Sequence, residues 1–107
     1  MIKEVTDVEL DCIVSGSENP VIVDFYAPWC HTCQVLSPAF DRISDDYENC
    51  IFLKIDAGKY DSVADKYNIL HLPTFMFFHK GKETGRTTSA NTDVSLCSFI
   101  ESKAGEL

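Results

Sequence analysis

The sequence predicts an α/β protein that has a mainly parallel central sheet with an antiparallel hairpin added at its end. Three apolar runs, at residues 21–27, 51–56 and 74–79, have the length and continuous hydrophobic character of strands buried on both faces. Segments with helical spacing separate these runs, and an alternation of strands and helices favours parallel pairing. Residues 80–82 are typical of a tight turn. The predicted order is therefore β-α-β-α-β-α-β-β-α.

The N-terminal elements are predicted from capping and turn residues. Residues 2–5 are expected to form a short edge strand. Thr6, followed three residues later by Glu9, matches a capping box and predicts a helix that continues to about Val14. The segment 15–20 contains Gly and Pro and ends this helix before the first buried strand.

The later helices are predicted from the spacing of apolar residues. Leu36, Phe40, Ile43 and Tyr47 recur at spacings of 4, 3 and 4, which predicts a long helix over residues 30–47. The remaining predictions are a short helix at about 60–67, a polar strand at about 83–88, and a last helix that begins at Asn91 or Thr92.

Length and composition restrict the possible functions. A chain of 107 residues predicts one compact domain over residues 1–107. Nine Lys and Arg against 17 Asp and Glu give a net charge of −8, which argues against binding to nucleic acid or to anionic membranes. The N-terminal residues include acids and lack the apolar region of a secretory signal. Five cysteines do not suggest a disulfide-stapled scaffold, so we expect a reducing, cytoplasmic location.

The most informative motif is the pair Cys30 and Cys33, which follows the first buried strand and begins the long helix. The positive end of a helix dipole favours a thiolate over a thiol. Residues at i and i+3 of a helix have Cβ atoms about 5–6 Å apart, and a disulfide needs roughly 3.5–4.5 Å. A small adjustment therefore makes or breaks the bond. We expect Cys30, at the helix N-cap, to be the more accessible sulfur with the lower pKa, and Cys33 to face inward.

The motifs together resemble the thioredoxin family along essentially the whole chain. The resemblance rests on Val-Asp-Phe-Tyr-Ala-Pro-Trp-Cys at residues 23–30, on residues 72–74 and on Gly81. It implies a thioredoxin fold, in which a central mixed β-sheet is flanked by helices on both faces. It also implies that Cys30 is the exposed nucleophile and Cys33 the buried resolving thiol.

Asp24 is a carboxylate within a run of Val, Ile and Phe, where an unpaired charge is unfavourable and burial raises the pKa. The matching residue of the family lies under the buried thiol and assists its proton transfers. We therefore expect Asp24 to accept the proton of Cys33, through water. Lys54 matches a family position near this acid and is predicted to partner it; the alternative is a lysine that extends to the surface.

A substrate-binding surface is expected around the redox pair. Trp29 precedes the nucleophile and is predicted to shield the disulfide and to contact substrates. Leu72 and Pro73 match the family's cis-proline segment, which offers backbone to an extended substrate. Ser89 and Ala90 follow the last strand and are expected beside the same groove, with Ser89 at a position where the family usually has Gly.

The dipeptide between the thiols departs from the family's usual Gly-Pro and is His31-Thr32. A positive charge on His31 favours the Cys30 thiolate, and the missing proline removes a constraint on the first helical turn. A stabilised thiolate makes the disulfide a better oxidant. We therefore predict a less reducing potential than a Gly-Pro thioredoxin has, unless His31 is an exposed residue with little influence.

The resulting functional hypothesis is a monomeric thiol–disulfide oxidoreductase that reduces protein disulfides. It needs no bound cofactor, and its electrons are expected from NADPH through a flavoprotein thioredoxin reductase or from another donor. An oxidase or isomerase domain like protein disulfide isomerase is the nearest alternative. A metal site shared by a bridged dimer and a non-catalytic adaptor are the other candidates. Cys12, Cys50 and Cys97 are predicted to be buried and inert.

Overall fold

The computed structural model describes residues 2–107, and these form five strands and four helices in the predicted order. The elements are β1 (Ile2–Glu4), α1 (Asp7–Gly16), β2 (Val21–Tyr26), α2 (His31–Ser44), β3 (Ile51–Asp56), α3 (Asp61–Lys66), β4 (Thr74–His79), β5 (Lys82–Thr87) and α4 (Asp93–Gly105).

The five strands form one mixed sheet in the order β1-β3-β2-β4-β5. Both β1 and β2 pair in parallel with β3, whereas β4 is antiparallel to β2 and β5 is antiparallel to β4. The antiparallel part is therefore larger than the hairpin that the sequence predicts. A continuous apolar run carries no period-2 signal and no sign of direction, so the orientation of β4 could not be predicted from its residues.

The hydrophobic core lies in two layers, one on each face of the sheet. Val21, Val23 and Phe25 of β2 pack with Leu10 and Val14 of α1 and with Val63 of α3. Ile22, from the other face of β2, packs with Leu36 and Phe40 of α2 and with Leu96 and Ile100 of α4. Side chains alternate between the faces of a strand, so this alternation places two helices on each face. The predicted flanking of the sheet on both faces is confirmed.

The capping residues explain where the helices begin. Thr6 and Glu9 form the predicted capping box of α1, and Thr92 is the N-cap of α4. Helix α2 ends at Ser44, three residues before the predicted Tyr47. Tyr47 nevertheless contacts the core, with its ring centroid 6.4 Å from that of Phe52.

Of the three cysteines outside the redox pair, Cys12 does not have the predicted burial. Its side chain is exposed, whereas Cys50 and Cys97 are half-buried. Leu10 and Val14 form the buried face of α1, and a residue midway between them points to the opposite side of the helix. The prediction relied on the apolar character of cysteine, whereas the position of Cys12 on the helix exposes it.

No helix among residues 2–107 combines the length and the apolar character that crossing a membrane requires.

Candidate active site

The Cys30–Cys33 pair forms a disulfide at the start of α2, with Cα atoms 5.3 Å apart. Cys30 is the N-cap of the helix, and its Sγ accepts a hydrogen bond of 3.2 Å from the backbone N–H of Cys33. The sulfur therefore occupies the place that a Ser or Asp oxygen takes at other helix N-termini. In the dithiol form, the same N–H and the helix dipole favour negative charge on Cys30.

The exposure of Cys30 is lower than predicted. Its exposed fraction is 8% and that of Cys33 is 3%, so both sulfurs are buried although their order agrees with the expectation. The reason is local packing: Ala27 and the two cysteines form a small apolar cluster, against which Tyr26 and Leu72 pack. The Cys30 sulfur therefore lies in the wall of a surface groove and does not protrude from the surface.

This groove has a volume of about 430 Å³, and Cys30 forms part of its wall. Trp29 and Leu70 flank it with unusually exposed apolar side chains, 75% and 85% exposed respectively. His71 and Leu72 also line the groove, and Leu72 packs against the redox pair. Exposed apolar groups around a concave surface are typical of a binding site for another molecule.

The Leu72–Pro73 peptide bond is cis, as the resemblance implied. Thr74 follows it and fixes the turn, because its hydroxyl donates a 2.6 Å hydrogen bond to the carbonyl of His71. Pro73 itself is buried, so Leu72 and His71 carry the surface of this segment. A cis bond in such a turn is available only before proline at a modest energy.

The structure does not bring the two predicted residues after β5 into this groove. Ser89 is exposed, but the groove is lined by other residues. The predicted contact of Ala90 with substrate is wrong for its side chain, which is buried in the core layer of α2 and α4. A small apolar residue just before α4 fills space beneath the helix, and that role was not distinguishable from a groove position in the sequence.

Asp24 is buried behind the redox pair, with an exposed fraction of 3%. Its Oδ1 accepts no hydrogen bond from any residue in the described range. Burial raises the pKa of Asp24 to about 7, against the opposing effect of the positive charge on Lys54. Asp24 and Cys33 line the same small cavity, about 110 Å³ in volume, which is large enough for water.

The predicted ion pair between Lys54 and Asp24 is not present among residues 2–107. Lys54 lines the cavity as well, but its Nζ lies 3.9 Å from Oε1 of Glu4 and 5.4 Å from the centre of the Tyr26 ring. The ammonium is thus held at the outer end of the cavity, where water stabilises its charge.

The dipeptide between the cysteines occupies the first turn of α2. His31 is the first residue of the helix and is exposed, and Thr32 is half-buried. Neither side chain is required for the N-cap hydrogen bond, which Cys30 accepts from Cys33.

Sequence reasoning missed three residues at the site. Leu70 had a signal, since a large apolar residue beside His71 in a loop is unusual. Tyr26 had a weaker one, because a residue two positions after Asp24 lies on the same face of the strand. Glu4 had none, since its proximity depends on the pairing of β1 with β3.

The described residues contain no group of three or more His, Cys, Asp or Glu side chains that could hold a metal ion.

Comparison with known proteins gives one consistent result. The thioredoxin family model matches residues 1–102. The chloroplastic thioredoxin Y2 of Arabidopsis thaliana is 40% identical over 100 residues, which are 92% of this chain and 60% of that protein. The chain therefore spans about three fifths of this relative's length. The thioredoxin of Sus scrofa is 36% identical over 83 residues, 78% of this chain and 79% of that protein.

A solved structure of Plasmodium falciparum thioredoxin superimposes with a TM-score of 0.87 at 35% identity, covering 94% of this chain and 97% of the other. The chain belongs to the thioredoxin family.

Proposed function

We propose that the protein is a thiol–disulfide oxidoreductase that reduces disulfide bonds of other proteins. The observation that carries this proposal is the Cys30–Cys33 disulfide, formed at the first turn of α2 and reached through an apolar groove. Members of the thioredoxin family act in general on disulfide substrates. The alternative of an isomerase or oxidase domain is not favoured, because the similar proteins are thioredoxins.

The reaction begins with the dithiol form. The Cys30 thiolate attacks one sulfur of the substrate disulfide, forming a mixed disulfide and releasing the other substrate sulfur as a thiolate. Cys33 then loses its proton and attacks Cys30 Sγ, which closes the Cys30–Cys33 bond and frees the second substrate sulfur. Two electrons pass to the substrate, whose thiolates take up two protons.

Asp24 is proposed as the acceptor of the Cys33 proton. It shares a cavity with Cys33, and a carboxyl with a pKa of about 7 is suited to exchange protons near neutral pH. We expect Asp24→Asn to slow the release of product from the mixed disulfide. If Asp24→Asn and the natural protein have the same turnover at every pH between about 6 and 9, Asp24 has no part in the mechanism.

The shape and the apolar lining of the groove support binding of the substrate polypeptide on either side of its disulfide bond. Trp29 and Leu70 offer apolar contact area in the groove that Cys30 lines, and Leu72 lines the same groove. We propose that an extended segment of the substrate lies along Leu72 and Pro73 with its sulfur over Cys30.

The dithiol must be regenerated by an electron donor. We propose that this donor is a flavoprotein thioredoxin reductase that uses NADPH. We also propose that the protein is a monomer and that it is located in the cytoplasm. The proposal of a reducing compartment rests on the five cysteines, an odd number that does not suggest a disulfide-stapled scaffold. Fractionation of cells that express the natural chain with a C-terminal epitope tag tests the location.

Reduction of a protein disulfide by dithiothreitol, with and without the protein, tests the activity directly. We expect catalysis by the natural sequence and its loss in Cys30→Ser and in Cys33→Ser. Cys12→Ser is the matched control, since it removes an exposed thiol outside the site and should retain the natural rate. Cys33→Ser should in addition accumulate a covalent adduct at Cys30. Equal rates in all four proteins would contradict the proposal.

A further inference from the structure

Three charged residues lie side by side across three neighbouring strands of the sheet. Glu4 of β1 is in register with Lys54 of β3, and Lys54 is in register with Asp24 of β2. Partners in register on parallel strands project from the same face of the sheet. One cation therefore stands between two carboxylates, one near the surface and one buried.

Lys54 is held by the outer of the two carboxylates. Its Nζ is 3.9 Å from Glu4 Oε1, and it also lies over the ring of Tyr26, 5.4 Å from the centroid. The hydroxyl of Tyr26 donates a hydrogen bond to Glu4 Oε2. Both oxygens of Glu4 are thus engaged, one by the ammonium and one by the phenol, and this fixes the carboxylate beside β3.

The inner carboxylate has no such partner. Oδ1 of Asp24 is buried without a hydrogen bond, although Lys54 and Tyr26 line the same cavity. A lysine ammonium that comes close to a buried carboxylate attracts it strongly, because the local dielectric constant is low, and both groups lose hydration there. Glu4 and the Tyr26 hydroxyl together offer the ammonium an alternative position.

We propose that Glu4 and Tyr26 are positioning residues for the redox reaction: they hold the Lys54 ammonium at the outer end of the cavity and so prevent it from pairing with Asp24. This inference rests on the proposed role of Asp24 as the proton acceptor of Cys33. It assigns a function to β1, which is an edge strand of the sheet and is separated from β2 by β3.

The consequence concerns how readily Asp24 exchanges a proton. A cation within about 4–6 Å lowers the pKa of a carboxyl group by 1–3 units, so a Lys54 released from Glu4 would leave Asp24 ionised at neutral pH. The groups that face Asp24 are Lys54 from β3, Cys33 from α2 and Tyr26 from its own strand. β4 contributes Phe75 opposite Asp24 and no charge. Lys54 is the one cation in this set of described residues.

The test is a titration of the Asp24 carboxyl carbon by NMR in the oxidised protein, which does not depend on activity. We expect Glu4→Gln to lower the pKa of Asp24 by about 1 unit or more, and Tyr26→Phe, which removes only the hydroxyl, to lower it in the same direction. Glu18→Gln is the matched control, because it removes the same charge from an exposed residue before the start of β2.

A double variant separates positioning from a direct effect of the Glu4 charge. In a Lys54→Met background, Glu4→Gln should leave the pKa of Asp24 unchanged, because no ammonium remains to be repositioned. An equal decrease in both backgrounds, or a decrease no larger than that of Glu18→Gln, would overturn the proposal. If the natural protein proved inactive toward disulfides, the proposed function would fail while this titration still decided the positions of the charges.

Discussion

Replacement of Asp24 by asparagine should change how the stability of the oxidised protein depends on pH. Burial raises the pKa of Asp24 from 3.8 to about 7, whereas the unfolded chain keeps a value near 3.9. Each pKa unit corresponds to about 1.36 kcal/mol, so ionisation of the buried carboxyl lowers the free energy of unfolding by about 4 kcal/mol. The side-chain amide of the variant has no ionisation to lose, and its own burial penalty is independent of pH.

The direction follows from which state holds the proton. Below about pH 4, Asp24 is protonated in both the folded and the unfolded chain, so no loss has occurred. Between about pH 4 and pH 7 the folded chain retains a proton that the unfolded chain has released, and stability falls as pH rises. Above about pH 7 the full loss is present and constant. Relative to the natural protein, Asp24→Asn should therefore gain stability progressively as the pH rises.

Urea unfolding, followed by the fluorescence of Trp29, measures this at a series of pH values from about 4 to 8.5. Only the difference between the two proteins matters, because the other titrating groups are shared and cancel. We expect this difference to change by about 4 kcal/mol between the two ends of the range. A difference that stays constant with pH would show that the folded and the unfolded chain bind the Asp24 proton equally over this range, and it would refute the argument from burial.

Other parts of the molecule give three more predictions. The reduction potential of the Cys30–Cys33 pair, measured by equilibration with glutathione, should lie above about −270 mV, and changing His31 to Gly with Thr32 to Pro should lower it; a value at or below that figure in the natural protein would contradict the argument from the His31-Thr32 dipeptide. Phe40→Ala should cost about 3–5 kcal/mol in urea unfolding, because its ring packs between two phenylalanines at centroid distances of 5.2 and 5.4 Å; a loss below about 1 kcal/mol would contradict its place in the core. Thr6→Ala should cost about 1 kcal/mol by removing the capping box of α1, and Thr6→Ser, which keeps the hydroxyl, should restore most of it.

The fold was largely predictable because its signals are local. The apolar runs at β2, β3 and β4, the capping box at Thr6 and the helical spacing before Phe40 are each contained within a few residues. The direction of β4 was not predictable, since a strand buried on both faces has the same pattern in either orientation. Helix α2 ended earlier than its apolar spacing suggested, because Tyr47 reaches the core from outside the helix.

The site was predictable where chemistry and local structure coincide and not where it depends on register. Cys30 and Cys33 at a strand-to-helix junction, and an acid within an apolar strand, were recognisable from residue type alone. The partner of Lys54 was predicted incorrectly, because Glu4 is 50 positions away in the chain and adjacent only through the pairing of β1 with β3. The burial of Ala90 likewise depends on how α4 packs on the sheet.

The two outermost strands have a consequence for association between copies of the chain. β1 pairs with β3 through only three residues, and β5, at the opposite margin, presents Lys82, Glu83 and Arg86. Both edge strands are poor templates for pairing with a strand of another chain. The short β1 offers few free amide groups, and pairing with β5 would bury its charged side chains. The sheet thus ends on both sides in sequences that discourage the edge-to-edge pairing from which fibrils grow.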